Sequence, residues 1–150
     1  MNKKIKIFLL AIFAFILLTF FNSADANSID NISMDIALDD NGNASITEIW
    51  NCNVTDGTEV YHPYYNLGNS KITDLSVSEN GTAYSSLSSW KTSGSLSDKA
   101  YRCGINKISN GVELCWGISK YGSHSYEVKY NISNFVSELT DSQMIYWTLI

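Results

Sequence analysis

The sequence predicts an all-β protein, an antiparallel two-sheet β-sandwich of Ig-like type with about seven strands, placed after an N-terminal signal-peptide helix. Three observations carry that expectation. Apolar residues recur at every second position in several short runs, as a strand with one buried face requires. Turn dipeptides such as Asn-Gly separate the runs. Beyond residue 26 no stretch holds a long helical period.

The leader comes first. Lys3, Lys4 and Lys6 form a basic start, "IFLLAIFAFILLTFF" (7–21) is apolar apart from Thr19, and Ala24 and Ala26 place small residues where a signal peptidase cuts. The competing reading is an uncleaved anchor, but the run falls short of the roughly 20 apolar residues a membrane span needs. The expected organisation is therefore a signal peptide over 1–26 and one β domain over 27–150, exported and extracytoplasmic. Of the 150 residues, cleavage removes three lysines and one aspartate, taking the net charge from −5 to −7. Such an acidic surface argues against nucleic acid and against anionic lipid headgroups as partners, since both select positive charge.

The strands follow in order. Ile32, Met34, Ile36 and Leu38 share one face of the first, and Ala44, Ile46, Trp50, Cys52 and Val54 one face of the second. Ile72, Leu75 and Val77 mark a third, Tyr101, Cys103 and Ile105 a fourth, and Leu114, Trp116 and Ile118 a fifth. Tyr126, Val128, Tyr130 and Ile132 make a sixth, and "MIYWTLI" (144–150) a seventh. Turns are expected at Asn41-Gly42, Asn80-Gly81, Asn110-Gly111 and Tyr121-Gly122. Because the last run is apolar with no polar tail, it reads either as a fragment's end or as a central strand. Two segments resist the pattern: "DGTEVYHPYYNLGN" (56–69) reads as a long aromatic connection, and "SSLSSWKTSGSLSD" (85–98) as a mobile surface loop.

The stretch "ALDDNGNASITE" (37–48) partly matches a calcium loop, but Ala37 stands where the first carboxylate ligand belongs and both flanks alternate as strands. It reads as a hairpin tip. A two-residue turn at Asn41-Gly42 would set Leu38 against Ser45. A loop of three or five residues containing Asn41, Gly42 and Asn43 keeps the apolar faces together, pairing Leu38 with Ile46 and Met34 with Trp50, and burial selects it. Glu48 then shares the inward face, opposite Ile36. A carboxylate there needs a partner, and Glu48 is the candidate acid if the protein is a hydrolase.

Other chemistry is sparse. His62 and His124 lie in no metal-ligand spacing, and His62, before the only proline, reads as a loop-shaping residue. "SSWK" (88–91) matches an acylating Ser-x-x-Lys, but it lies in a Ser-rich tract without companion motifs. No cofactor motif occurs. Export permits disulfides, and the three cysteines leave open a Cys103–Cys115 pair, a pairing of Cys52, or three thiols; the first needs a five-residue loop over 107–111 or a bulge. Tryptophans 50, 116 and 147 fall on strands and read as core. Tyr61, His62, Tyr64 and Tyr65 in "VYHPYYNLG" are the candidate ligand-binding residues, because rings on a connection can stack against a sugar or a peptide.

"DNGNASITEIW" (40–50), "ITDLSVSENG" (72–81) and "GSHSYEVKYNI" (122–132) before "YWTLI" (146–150), in this order and spacing, resemble a family of predicted bacterial membrane proteins of unknown function. In that DUF-type family an extracytoplasmic N-terminal β domain follows a signal peptide and precedes transmembrane helices and a Gly-rich tail. Its loop before the second piece often carries an Arg and an Ile-Pro, where this chain reads "YHPYYNLG". The resemblance implies an exported, membrane-associated setting and no catalytic residues. The expected role is a non-enzymatic interaction or sensing module whose partner is a protein or a cell-surface glycan. A carbohydrate-binding or adhesin-type surface domain is the alternative, and a hydrolase using Glu48 a second one.

Overall fold

A computed structural model describes residues 26–148, so the signal segment, apart from Ala26, lies outside the described residues. The chain is all-β and sandwich-like. Among the described residues its strands are β1 (Ser28–Leu38), β2 (Ala44–Val54), β3 (Glu59–Tyr65), β4 (Lys71–Glu79), β5 (Thr82–Ala83), β6 (Ser85–Leu87), β7 (Arg102–Ile108), β8 (Gly111–Gly117), β9 (Gly122–Ser133), β10 (Val136–Glu138) and β11 (Gln143–Ile145), with a short helix, α1 (Leu96–Lys99), before β7. One sheet has the order β1-β2-β9-β4-β5 and the other β3-β8-β7-β6, while β10 and β11 form a separate hairpin. Every pair of strands is antiparallel except the short β6–β7 pair.

Alternation explains the core. Every second residue of β2 is buried from Ala44 to Val54, and every second residue of β9 from His124 to Ile132. These faces meet Leu114 and Trp116 of β8 and Cys103 of β7. Trp116 packs edge-on against both Trp50 and Tyr126, with ring centroids 5.4 and 5.8 Å apart. Two polar atoms in this layer, Trp116 Nε1 and Tyr126 OH, are buried without a hydrogen-bond partner among the described residues.

The β1–β2 loop has five residues (39–43) and brings the apolar faces together, but the pairing lies two residues from expectation. Leu38 faces Ala44, Ile36 faces Ile46, and Glu48 sits opposite Met34 rather than Ile36. Asp39 fixes this. Its carboxylate accepts from the backbone N–H of Asn41 at 2.9 Å and of Asn43 at 2.8 Å, closing the loop one residue earlier than the turn dipeptide suggests. Asn80-Gly81 forms the two-residue turn expected of it, with φ of 49° and 78° joining β4 to β5.

Three expectations are corrected. The 56–69 segment contains strand β3. Pro63 hid it, but β3 pairs only with β8 and is an edge strand, where a missing N–H is tolerated. The 85–98 segment is an ordered flap: β6 pairs with β7, Ser95 and Asp98 form a capping box on α1, and Trp90 is buried. The seventh strand spans only Gln143–Ile145, because Trp147 leaves the ladder to stack on Phe135 at 5.2 Å and to donate its Nε1–H to the Phe135 carbonyl at 3.0 Å.

The flap lies so close to β8 that a Cβ on Gly117 would stand 1.8 Å from the Lys99 carbonyl oxygen. Gly117→Ala is therefore expected to push the flap off β8 and to cost about 1–3 kcal/mol. Urea unfolding of the variant beside the parent chain checks this, and an unchanged midpoint would count against the close approach.

Candidate functional site

β2 places Glu48 between Ile46 and Trp50 on the inward face, where it is 0 % exposed. A carboxylate taken out of water costs several kcal/mol unless donors replace the solvent. Here the donors come from three strands. Trp50 Nε1–H on β2 donates at 2.6 Å, the Tyr130 hydroxyl on β9 donates to the other oxygen, and His62 Nδ1 on β3 lies 3.2 Å from both. Tyr64, also on β3, is hydrogen-bonded to Tyr130. Since a carboxylate only accepts, the Tyr130 hydroxyl donates its hydrogen bond to Glu48 and Tyr64 donates to Tyr130. Burial pushes the Glu48 carboxyl up, but His62, Tyr130 and Trp50 together outweigh it and hold the group below its ordinary value, so it is ionised. Burial in turn pushes both tyrosine hydroxyls far up, which keeps them protonated donors.

Two further carboxylates are held in the same manner. Glu79 at the end of β4 receives His124 Nδ1 at 2.6 Å, Tyr84 OH at 2.9 Å and Ser119 Oγ at 3.3 Å, while His124 Nε2 meets the Lys120 carbonyl at 2.8 Å. Both ring nitrogens of His124 thus face acceptors. Glu59 at the start of β3 takes the buried Lys99 ammonium at 2.8 Å and the Trp90 indole N–H. The Lys99 ammonium also reaches Thr58 Oγ1 at 2.9 Å and the Thr92 carbonyl at 2.5 Å, which pins the flap to the sandwich.

A cleft opens on the surface. It measures about 1270 Å³ and lies at one end of the sandwich, between the β1–β2 loop, the β3–β4 connection and the β10–β11 hairpin. Trp50, His62 and Tyr64 contribute to its lining, whereas Glu48 does not line it: the carboxylate sits behind them. Carboxylates (Asp40, Glu138) and amides stand around the cleft, and no lysine or arginine lines it among the described residues.

The structure divides the four candidate ligand residues. Alternation along β3 turns Tyr61 and Tyr65 out to solvent and buries His62 and Tyr64. Tyr61, Tyr64 and Tyr65 therefore form no shared exposed platform, although His62, Tyr64 and Tyr65 all reach the cleft and Tyr61 does not. His62 is a strand residue on a buried carboxylate rather than a loop-shaping one. The Cys103–Cys115 pair does not form. Cys103 sits opposite Trp116 and Cys115 opposite Gly104, so the two thiols point to opposite faces, and all three cysteines are free and buried. The loop joining β7 to β8 has two residues, not the five that such a bridge needed. Burial pushes the Cys52 thiol up to about 11 and that of Cys115 up to about 12. Ser88 and Lys91 lie exposed on the flap, outside any helix.

Sequence reasoning missed the partners rather than the carboxylate. It placed Glu48 inward and asked for a donor, but with β3 read as a connection no strand was available to bring His62 and Tyr64 to it. The alternation of His62 and Tyr64 within "EVYHPYY" is the signal that could have found them. Among the described residues no group of three or more His, Cys, Asp or Glu could hold a metal ion, and no helix is long and apolar enough to cross a membrane. No protein-family model, curated protein or solved structure matches the chain.

Glu48→Ala would leave three buried donors facing a void and is expected to cost about 3–5 kcal/mol in urea unfolding. The pH dependence has a definite sign. A carboxyl held below its ordinary value of 4.5 contributes stability that is complete above that value and lost as pH falls through the folded value. Glu48→Gln should therefore lose less stability than the parent chain between about pH 7 and about pH 3. Parallel acid limbs in the two proteins would contradict the assignment.

Proposed function

We propose that this chain is an exported, extracytoplasmic recognition module that takes its partner in the cleft and performs no chemistry on it. The observation that carries the reading is the separation of an open polar cleft from the carboxylate beneath it. The cleft offers hydrogen-bonding groups on three connections, while Glu48, the inward acid, is sealed behind Trp50 and His62 with its oxygens already occupied. A general acid must come within hydrogen-bond reach of the bond it protonates, and Glu48 could do so only if the floor opened.

The basic start and apolar run of the leader support export, and the resemblance to the bacterial membrane family supports a membrane-associated setting. The lack of cations at the cleft and the acidic balance of the chain speak against a nucleic-acid partner. A protein or a cell-surface glycan remains as the class of partner.

The experiment is a pair of measurements on the full chain. An epitope-tagged chain expressed in bacteria should be digested by protease added outside the inner membrane, and should become protected when residues 1–26 are deleted. The purified chain should release no product from a panel of aryl glycosides and aryl esters. Turnover that disappears in Glu48→Gln would establish the hydrolase instead, and a chain protected with its leader intact would overturn export.

A further inference from the structure

The cleft carries more information than its openness, and the inference drawn from it rests on the recognition reading above. We infer that it is a binding site for a neutral oligosaccharide, with aromatic rings at the rim, amides along the walls and the His62 imidazole on the floor.

Three features set the ligand class. The rim rings are exposed well beyond what packing requires: Tyr146 is 86 % exposed and Tyr65 53 % exposed, both lining the cleft. Trp147 beside them is fixed by its stack on Phe135 and by its indole hydrogen bond, and meets the Tyr64 ring edge-on at 6.1 Å. Exposed rings beside a fixed one suit the flat C–H faces of sugar rings.

The walls supply directional polarity without positive charge. The side-chain amides of Asn66, Asn69 and Gln143 line the cleft and make no hydrogen bond among the described residues. Each amide offers donors and an acceptor together, as vicinal hydroxyls require, and Asp40 and Glu138 add acceptors. With carboxylates present and no lysine or arginine, the same walls repel sulfate, phosphate and uronate groups. The volume of about 1270 Å³ exceeds the ~300–1,000 Å³ typical of small-molecule pockets, which points to a chain of sugars rather than a single ring.

The floor supplies a fixed polar contact. His62 is 3 % exposed, and its Nδ1 is committed to the buried Glu48 carboxylate. That carboxylate can only accept, so Nδ1 carries a proton and Nε2 is the ring's remaining polar atom. Among the described residues Nε2 has no hydrogen-bond partner, and His62 belongs to the cleft lining. A buried ring held in place by a carboxylate behind it offers a ligand hydroxyl an oriented polar contact.

The test uses the full chain and defined probes: the neutral hexasaccharides of β-1,4-glucose, β-1,3-glucose, α-1,4-glucose, β-1,4-mannose and β-1,4-N-acetylglucosamine, with a sulfated hexasaccharide as control. Titration is followed by tryptophan fluorescence and by the imidazole nitrogen resonances of His62. At least one neutral probe is expected to bind at millimolar concentration or better and to shift the His62 Nε2 signal. Tyr146→Ala and Tyr65→Ala should each weaken it several-fold, up to about tenfold, and Tyr146→Phe should restore it. Both positions are exposed, so neither variant threatens the fold. The inference is overturned if no neutral probe binds, if both tyrosine variants bind unchanged, or if the sulfated probe binds as tightly as the neutral ones. A chain that is exported but ignores every sugar refutes the oligosaccharide alone, whereas a chain that is not exported refutes the recognition reading beneath it.

Discussion

The structure depends on one buried charge. Glu48 has no access to water, and everything that makes its position tolerable is a feature of the fold: an indole one turn of the pleat away on β2, a hydroxyl on the neighbouring β9, and an imidazole from the opposite sheet. The imidazole contact is the important one. β3 is an edge strand interrupted by a proline and has a ladder on one side only. The Glu48–His62 contact and the Tyr64–Tyr130 hydrogen bond fasten that strand to the first sheet as well. A buried polar contact of this kind adds little net stability compared with an apolar pair of the same volume, but it tolerates few alternative arrangements. Here it selects which face of β3 turns inward, and so which residues reach the cleft.

The same solution recurs along β9. His124 and Tyr130 lie six residues apart on its inward face, about 20 Å at the spacing of an extended strand, and each serves a buried carboxylate. Between them the layer is aromatic, built on Trp50, Trp116 and Tyr126. Polar contacts flank these rings, and the one between Glu48 and His62 crosses from one sheet to the other. An ionic contact, Lys99 with Glu59, holds the flap over β8 in a place where small residues, Gly104 and Gly117, let it approach.

Much of this was legible in the sequence. Period-two alternation located six of the strands and the inward face of β2, including the uncomfortable position of Glu48. The hairpin loop was restricted to odd lengths by burial alone, because a one-residue slip would have turned Glu48 and Trp50 to solvent. What escaped has physical causes. The two-residue offset in the β1–β2 register comes from the side-chain hydrogen bonds of Asp39, which composition does not reveal. Strand β3 was masked by Pro63 and by a histidine at an inward position, where an apolar residue is expected. The buried Trp90 and Lys99 of the flap depend on the approach of β8 and Glu59, which are distant in sequence. The cleft is built by connections and a hairpin that share no local pattern, so of its lining only His62, Tyr64 and Tyr65 could be picked out beforehand as ligand residues.

Glu48 and His62 act as one unit joining the sheets, and a double-mutant cycle measures their coupling. Glu48→Leu, His62→Leu and the double variant are compared with the parent chain by urea unfolding near neutral pH. Each single variant leaves a buried polar group without its main partner, while the double variant removes both. The account predicts a coupling of at least about 1 kcal/mol, with the double variant more stable than the sum of the single losses. Losses that add to within about 0.3–0.5 kcal/mol would contradict it.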